Sequence, residues 1–159
     1  MRIVIASVGQ AKGDFGPIED DYVAMATKLG RTVGLKGIDR LDLPQSKAQR
    51  PADRMAEEAE RILAALKGAP FFALDPGGKA TSTEEFAGLI RQRLETGVPT
   101  LGFVIGGPDG MAPGVKTSSA GLISYGRATF PHRLVRVMLT EQIYRVVTIL
   151  ANHPYHRAG

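Results

Sequence analysis

The chain has 159 residues, a formal net charge of +4 with a pI near 9.6, and 43% hydrophobic and 23% charged residues. That length is enough for one domain with a full hydrophobic core, and the composition is that of a globular protein rather than a disordered or fibrous one. The absence of cysteine excludes disulfides, thiolate metal sites and a cysteine nucleophile, no apolar run approaches the roughly 20 residues a membrane span requires, and the start of the chain lacks the pattern of a signal peptide, so a cytoplasmic protein is expected.

Taken in order, Ile3 to Val8 is a β-rich run closed by Gly9 and predicts a first buried strand. After a loop from Gln10, a helix is expected from about Pro17, with Glu19, Asp20 and Asp21 complementing its positive end, to Gly30. A second strand is expected over 31–38, weakened by two glycines, and the polar stretch 41–51 reads as a mobile loop. Residues 52–66 form a helix rich in strong helix formers with Met55, Ala59, Ile62 and Leu66 on one face. Glu57 and Glu58, with Arg61, read as its solvated side.

Pro70 to Leu74 predicts a third strand, with a loop over Asp75–Lys79 at its C-terminal end. Thr81, Ser82 and Thr83 followed by Glu84 and Glu85 offer a capped start for a helix running to about Thr96. A fourth strand is expected over 99–105, then Gly106-Gly107-Pro108-Asp109-Gly110, a short helix over 113–119, and a brief fifth strand, Leu122-Ile123-Ser124. Alternation of strands with helices implies an α/β fold whose mostly parallel sheet is covered on both faces. Ligands of such sheets sit at the C-terminal strand ends, where the strand order reverses. The glycine-bearing loops after strands three, four and five therefore describe a cofactor cleft.

Two glycine motifs fail stricter tests. Gly78-Lys79 is no P-loop, because Ala73 and Ala80 stand where glycine and a hydroxyl residue are required. Gly106 to Gly110 does not match the dinucleotide fingerprint; it reads either as a tight turn needing positive φ or as a loop whose bare backbone approaches a flat ligand. His153 and His156 lack a third metal ligand, so no metal is expected.

The C-terminal forty residues hold all three histidines, and between Gly110 and Gly159 six basic side chains face one acid, Glu141. This concentration favours a polyanionic partner more than the net charge does. The helix expected over 131–150 is apolar around most of its circumference and so needs cover on more than one side. A second copy of the chain is the expected cover, which predicts a homodimer through this helix.

The run Thr129-Phe130-Pro131-His132-Arg133-Leu134-Val135-Arg136-Val137, continuing through Glu141 to Arg145 and Asn152 to Arg157, resembles the ribosomal RNA large subunit methyltransferase H family of the SPOUT class. Val8-Gly9, Leu74-Asp75 before a Gly-Lys loop, and Ile105 to Gly110 agree with it, so the likeness spans the chain. The resemblance implies one methyltransferase domain over 1–159 with an α/β trefoil knot at its C-terminal end. Periodicity could not have supplied that expectation, because knots are rare. It further implies S-adenosylmethionine as cofactor and, as substrate, N3 of pseudouridine 1915 in 23S rRNA of the assembled ribosome.

Carried over by position, the cofactor residues would be Leu74, Gly106, Tyr125, Gly126, Arg127, Ala128, Thr129 and Phe130. Relatives often carry a small polar residue and then a variable one where this chain has Gly126-Arg127. Tyr155, His156 and Arg157 would act on the acceptor side as catalytic residues, with His132, Arg133 and His153 binding substrate. A non-enzymatic RNA- or ribosome-binding protein on the same fold is the alternative reading; a nucleotide-binding α/β enzyme without RNA is the third.

Overall fold

The computed structural model describes residues 1–9 and 15–155. Their strands are β1 (Arg2–Val8), β2 (Gly37–Leu43), β3 (Phe71–Ala80), β4 (Thr100–Ile105) and β5 (Leu122–Ser124), and their helices are α1 (Phe15–Gly30), α2 (Pro51–Leu66), α3 (Thr83–Glu95), α4 (Pro113–Ser118) and α5 (His132–Leu150). The five strands are parallel, in the order β2-β1-β4-β3-β5. The central strands are apolar on both faces, as a doubly covered sheet requires. Ile3, Ile5, Leu101, Phe103 and Ile105 meet α1, α3 and α5, whereas Ala6, Val8, Phe71, Ala73 and Val104 meet α2 and α4.

The second strand lies later than the sequence predicts. Residues 31–33 form a 3-10 turn, Gly34 takes φ +88, and β2 begins only at Gly37. Leu35 folds under Gly30, whose carbonyl accepts its N–H at 2.9 Å, so the apolar residues of this stretch finish α1 instead of extending. The strand itself is polar because it is an edge, and its charges are held from outside: Asp39 by Arg2, Arg40 by Asp20, and Asp42 by Arg136. The expected loop at 41–51 thus starts inside β2. Its remainder is tied down by Ser46 N–H donating to Glu58 and by Arg54 and Arg61 donating to the carbonyls of Ala48, Gln49 and Pro44. Glu58 is therefore buried at 4% exposure, not part of a solvated face.

The third strand also runs on. After Leu74 the chain arches out and rejoins the sheet at Lys79, so that Ile123 of β5 pairs with both Leu74 and Lys79. The arch lies so close to β5 that a Cβ on Gly78 would fall 2.8 Å from the backbone of Leu122, hence glycine there. Ser124 is gripped from two sides: its hydroxyl reaches the carbonyl of Pro76 at 3.4 Å, and its own carbonyl accepts Thr81 N–H at 3.3 Å. This arch and the segment leading from β5 to α5 lie at the C-terminal end of the fold, where the family resemblance puts the α/β trefoil knot.

The capping box appears where the sequence places it, with Ser82 Oγ accepting from Glu85 N–H and the Glu85 carboxylate accepting from Ser82 N–H. Ser82→Ala is expected to cost about 1 kcal/mol and to lower Tm by about 2–4 °C in a thermal melt.

Helix α5 packs against α1 and α3 of the same chain, burying Leu139, Ile143, Val146 and Val147. Much of the cover expected from a second subunit is thus supplied within the chain. Leu134, Val137 and Met138 stay half-buried.

Candidate active site

A cleft of about 640 Å³ opens where the segments after β3, β4 and β5 converge. Leu74, Ile105, Ile123 and Val135 give it an apolar lining; residues 106–111 form one wall, and Tyr125, Gly126 and residues 128–132 form the other. Glycine is required in the first wall. A Cβ on Gly106 would lie 2.6 Å from Met111 Cγ and 3.1 Å from the Gly110 backbone, and one on Gly107 would lie 2.7 Å from Glu58 Oε2. The bare backbone can therefore approach a ligand closely. In the other wall Gly126 takes φ +126, and the Ser124 hydroxyl accepts its N–H and donates to its carbonyl.

Two carboxylates at the cleft are held by cations from outside it. Lys116 of α4 meets Asp75 at 2.5 Å, and Asp75 also accepts Gly77 N–H. Burial pushes the Asp75 carboxyl up, but Lys116 and the Gly77 N–H outweigh it and hold the group below the ordinary carboxylate range. Asp109 is lowered by a two-pronged bond from Arg54, at 2.6 and 3.0 Å. Both are ionised at neutral pH.

Arg54 also donates to the carbonyls of Ala48 and Gln49, so one side chain fixes the 106–110 wall to two other segments. Arg54→Ala is expected to raise the KM for the cleft's ligand by about tenfold with kcat nearly unchanged, because a displaced wall misplaces what it binds. Steady-state kinetics at saturating second substrate would check this.

Leu74, Gly106, Tyr125, Gly126, Ala128, Thr129, Phe130 and His132 all line the cleft. Arg127 does not: it is exposed between two lining residues, and Arg133 is exposed one residue beyond His132. Tyr125 is half-buried, yet its hydroxyl is enclosed and has no hydrogen-bond partner among the described residues. Burial, then the nearby Glu141, raises its pKa.

The tail is docked, but outside the cleft. Asn152 takes φ +52 and turns the chain back after α5, with His153 N–H donating to Thr148. The Tyr155 ring lies 4.7 Å from that of Tyr144 and under the Arg145 guanidinium at 5.1 Å, and its hydroxyl donates to Glu141 at 3.3 Å. The same Glu141 oxygen accepts two bonds from Arg145. Burial first, then Glu141, pushes the Tyr155 phenol up to about 12, so it is a donor at neutral pH. His153 is exposed and its Nδ1 accepts Tyr155 N–H; His156 and Arg157 lie outside the described residues. Among the described residues no three of His, Asp and Glu gather as metal ligands.

Sequence reading passed over Asp75, Asp109, Arg54 and Lys116. Asp109 sits inside the glycine loop already singled out, so its position carried a signal. Arg54 carried none, because its partner is 55 residues away.

A family model described as predicted SPOUT methyltransferase matches residues 1–156. The chain is 51% identical over 160 residues to ribosomal RNA large subunit methyltransferase H of Xanthobacter autotrophicus, covering 99% of this chain and 100% of that protein. The protein of the same name from Methylocella silvestris is 40% identical over 159 residues, covering 99% of each. A crystal structure of a probable methyltransferase from Bordetella pertussis matches with a TM-score of 0.51 over 92% of this chain and 95% of that one. Its 13% identity makes it a likeness of fold alone.

Proposed function

Because the chain belongs to the SPOUT methyltransferases, among the proteins named ribosomal RNA large subunit methyltransferase H, we propose that its cleft holds S-adenosylmethionine. The acceptor is N3 of a pseudouridine, position 1915, in 23S rRNA of the assembled ribosome. The observation that carries this reading is the cleft itself, which lies at the C-terminal ends of β3, β4 and β5. Its volume falls in the usual range for small-molecule sites. The apolar lining suits a purine, and the glycine wall allows close backbone approach.

When bound, the cofactor supplies a methyl group activated by its sulfonium. Transfer of that methyl group to N3, with loss of the carbon–sulfur bond, would also require the N3 proton to be taken up by a base or water. The protein's part is alignment and help with that proton. His132, which lines the cleft, would bind the substrate together with Arg133 and His153. Tyr155, His156 and Arg157 serve the acceptor side. Tyr155, protonated at neutral pH with its hydroxyl donating to Glu141, is not a base.

The working unit is one domain per chain, paired as a homodimer through α5 and the neighbouring α1. Exposed Ile18 on α1, which shares a groove with half-buried Val137 and Met138, supports this pairing. Its place of work is the cytoplasm, with the ribosome.

Calorimetry with S-adenosylmethionine and mass spectrometry of 23S rRNA from a deletion strain test the proposal. Cofactor uptake together with one missing methyl group at the pseudouridine is expected. No uptake, with ribosome binding intact, would sink it in favour of a non-enzymatic ribosome-binding protein.

A further inference from the structure

Two arginines beside the cleft have no assigned partner. From Gly110 to Thr140 the sequence contains no acid. Among the described residues, the other cations of that stretch are neutralised from elsewhere: Lys116 by Asp75, and Arg136 by Glu19 and Asp42. Arg127 and Arg133 are exposed and make no hydrogen bond or ion pair to a described residue. The rim acids Asp75 and Asp109 are already occupied by Lys116 and Arg54, so they do not offset these two charges.

Both positions work against simple folding stability. Arg133 lies in the first turn of α5, which has no acid and no side-chain cap. A cation there opposes the helix dipole, whereas an anion would be stabilised by it. Arg127 lies between Gly126 and Ala128, which both line the cleft, but is itself exposed and outside that lining, so its charge sits beside the cleft and not in it. Arg133 follows Arg127 by six positions, so their Cα atoms lie at most about 22 Å apart. The planar guanidinium fork matches phosphate oxygens two at a time.

We propose that Arg127 and Arg133 form a two-point phosphate clamp at the mouth of the cleft, gripping the rRNA backbone on either side of the target nucleotide. This rests on the reading of the cleft as the cofactor site of an rRNA methyltransferase. It moves Arg127 from the cofactor side, where the family resemblance would put it, to the RNA side. The clamp holds the strand by charge and sets no base preference.

The test uses the full-length protein and ribosomes from a strain lacking the methyltransferase. R127A, R133A, the double variant and R127K would be compared by calorimetry with S-adenosylmethionine, by co-sedimentation with ribosomes between 50 and 200 mM salt, and by steady-state methyl transfer. Each alanine variant is expected to raise KM for ribosomes about 5–10-fold and to flatten the slope of log K against log salt by about 0.7. Cofactor affinity and kcat stay unchanged, and R127K keeps the salt slope of the parent. An unchanged slope in the double variant would overturn the clamp, as would a weakened cofactor affinity in R127A. Ribosome binding is read without methyl transfer, so a protein that grips ribosomes through these arginines but transfers nothing supports the clamp and refutes the enzymatic reading.

Discussion

Arg136→Ala is expected to destabilise the fold by about 3–5 kcal/mol. Arg136 on α5 is 3% exposed and Glu19 on α1 is 1% exposed. Nε and Nη2 of Arg136 donate to one Glu19 oxygen at 3.3 and 3.1 Å, and Nη1 meets Asp42 of β2 at 2.5 Å. Removing the guanidinium leaves the buried Glu19 carboxylate, among the described residues, with Arg40 at 3.7 Å as its remaining cation. An unpaired buried charge costs far more than the pair contributes in net terms. The double variant Arg136→Met with Glu19→Leu removes both charges and is expected to recover most of the loss. Urea denaturation followed by circular dichroism would measure both, and a loss under about 1 kcal/mol in Arg136→Ala would mean that water reaches the pair. The network also anchors the start of α5, and with it His132 and Val135 at the cleft.

Gly106→Ala is expected to weaken cofactor binding by about 10–100-fold, or about 1–3 kcal/mol, while leaving the fold standing. The new methyl group would sit 2.6 Å from Met111 Cγ and 3.1 Å from the Gly110 backbone, so the 106–111 wall must shift into or away from the ligand. Gly107→Ala provides the contrast. Its methyl would press on Glu58 Oε2 at 2.7 Å and on Val8 Cγ1 at 3.1 Å, behind the wall. There the loss should fall on stability, because Glu58 is buried and holds Ser46 N–H. Calorimetry with the cofactor and a thermal melt on both variants separate the two effects. Equal cofactor affinity in Gly106→Ala and the parent would remove the glycine wall from the binding site.

The α/β class, the element order and the cleft-bearing edge were legible in the sequence. Each rests on local cues: β-rich runs closed by glycine, a helix rich in strong formers, and Ser82 with Glu85 at the capping box. Errors arose where a local cue was shared between two outcomes. Val33 and Leu35 satisfy a strand pattern, yet Gly34 at positive φ lets them close α1, and the true strand is a charged edge that no apolar pattern marks. Glu58 sits at a spacing that suits a solvated helix face, and only the approach of residues 44–50 buries it.

By itself, then, the sequence determined the order and type of most elements, the glycine wall at 106–110 and the cationic character of the C-terminal third. The knot entered through family resemblance, because threading is a property of the whole path and leaves no periodic trace. Tertiary structure alone decided that α1 and α3 cover much of α5, that Arg127 stands outside the cleft its neighbours line, and which charges are spent. The pairs that spend them join Arg54 to Asp109 across 55 positions, Arg136 to Asp42 across 94 and Arg136 to Glu19 across 117. At such separations partner choice is set by where the strands and helices come to rest, so the two arginines with no partner among the described residues could be recognised only once Lys116 and Arg136 had been matched to their carboxylates.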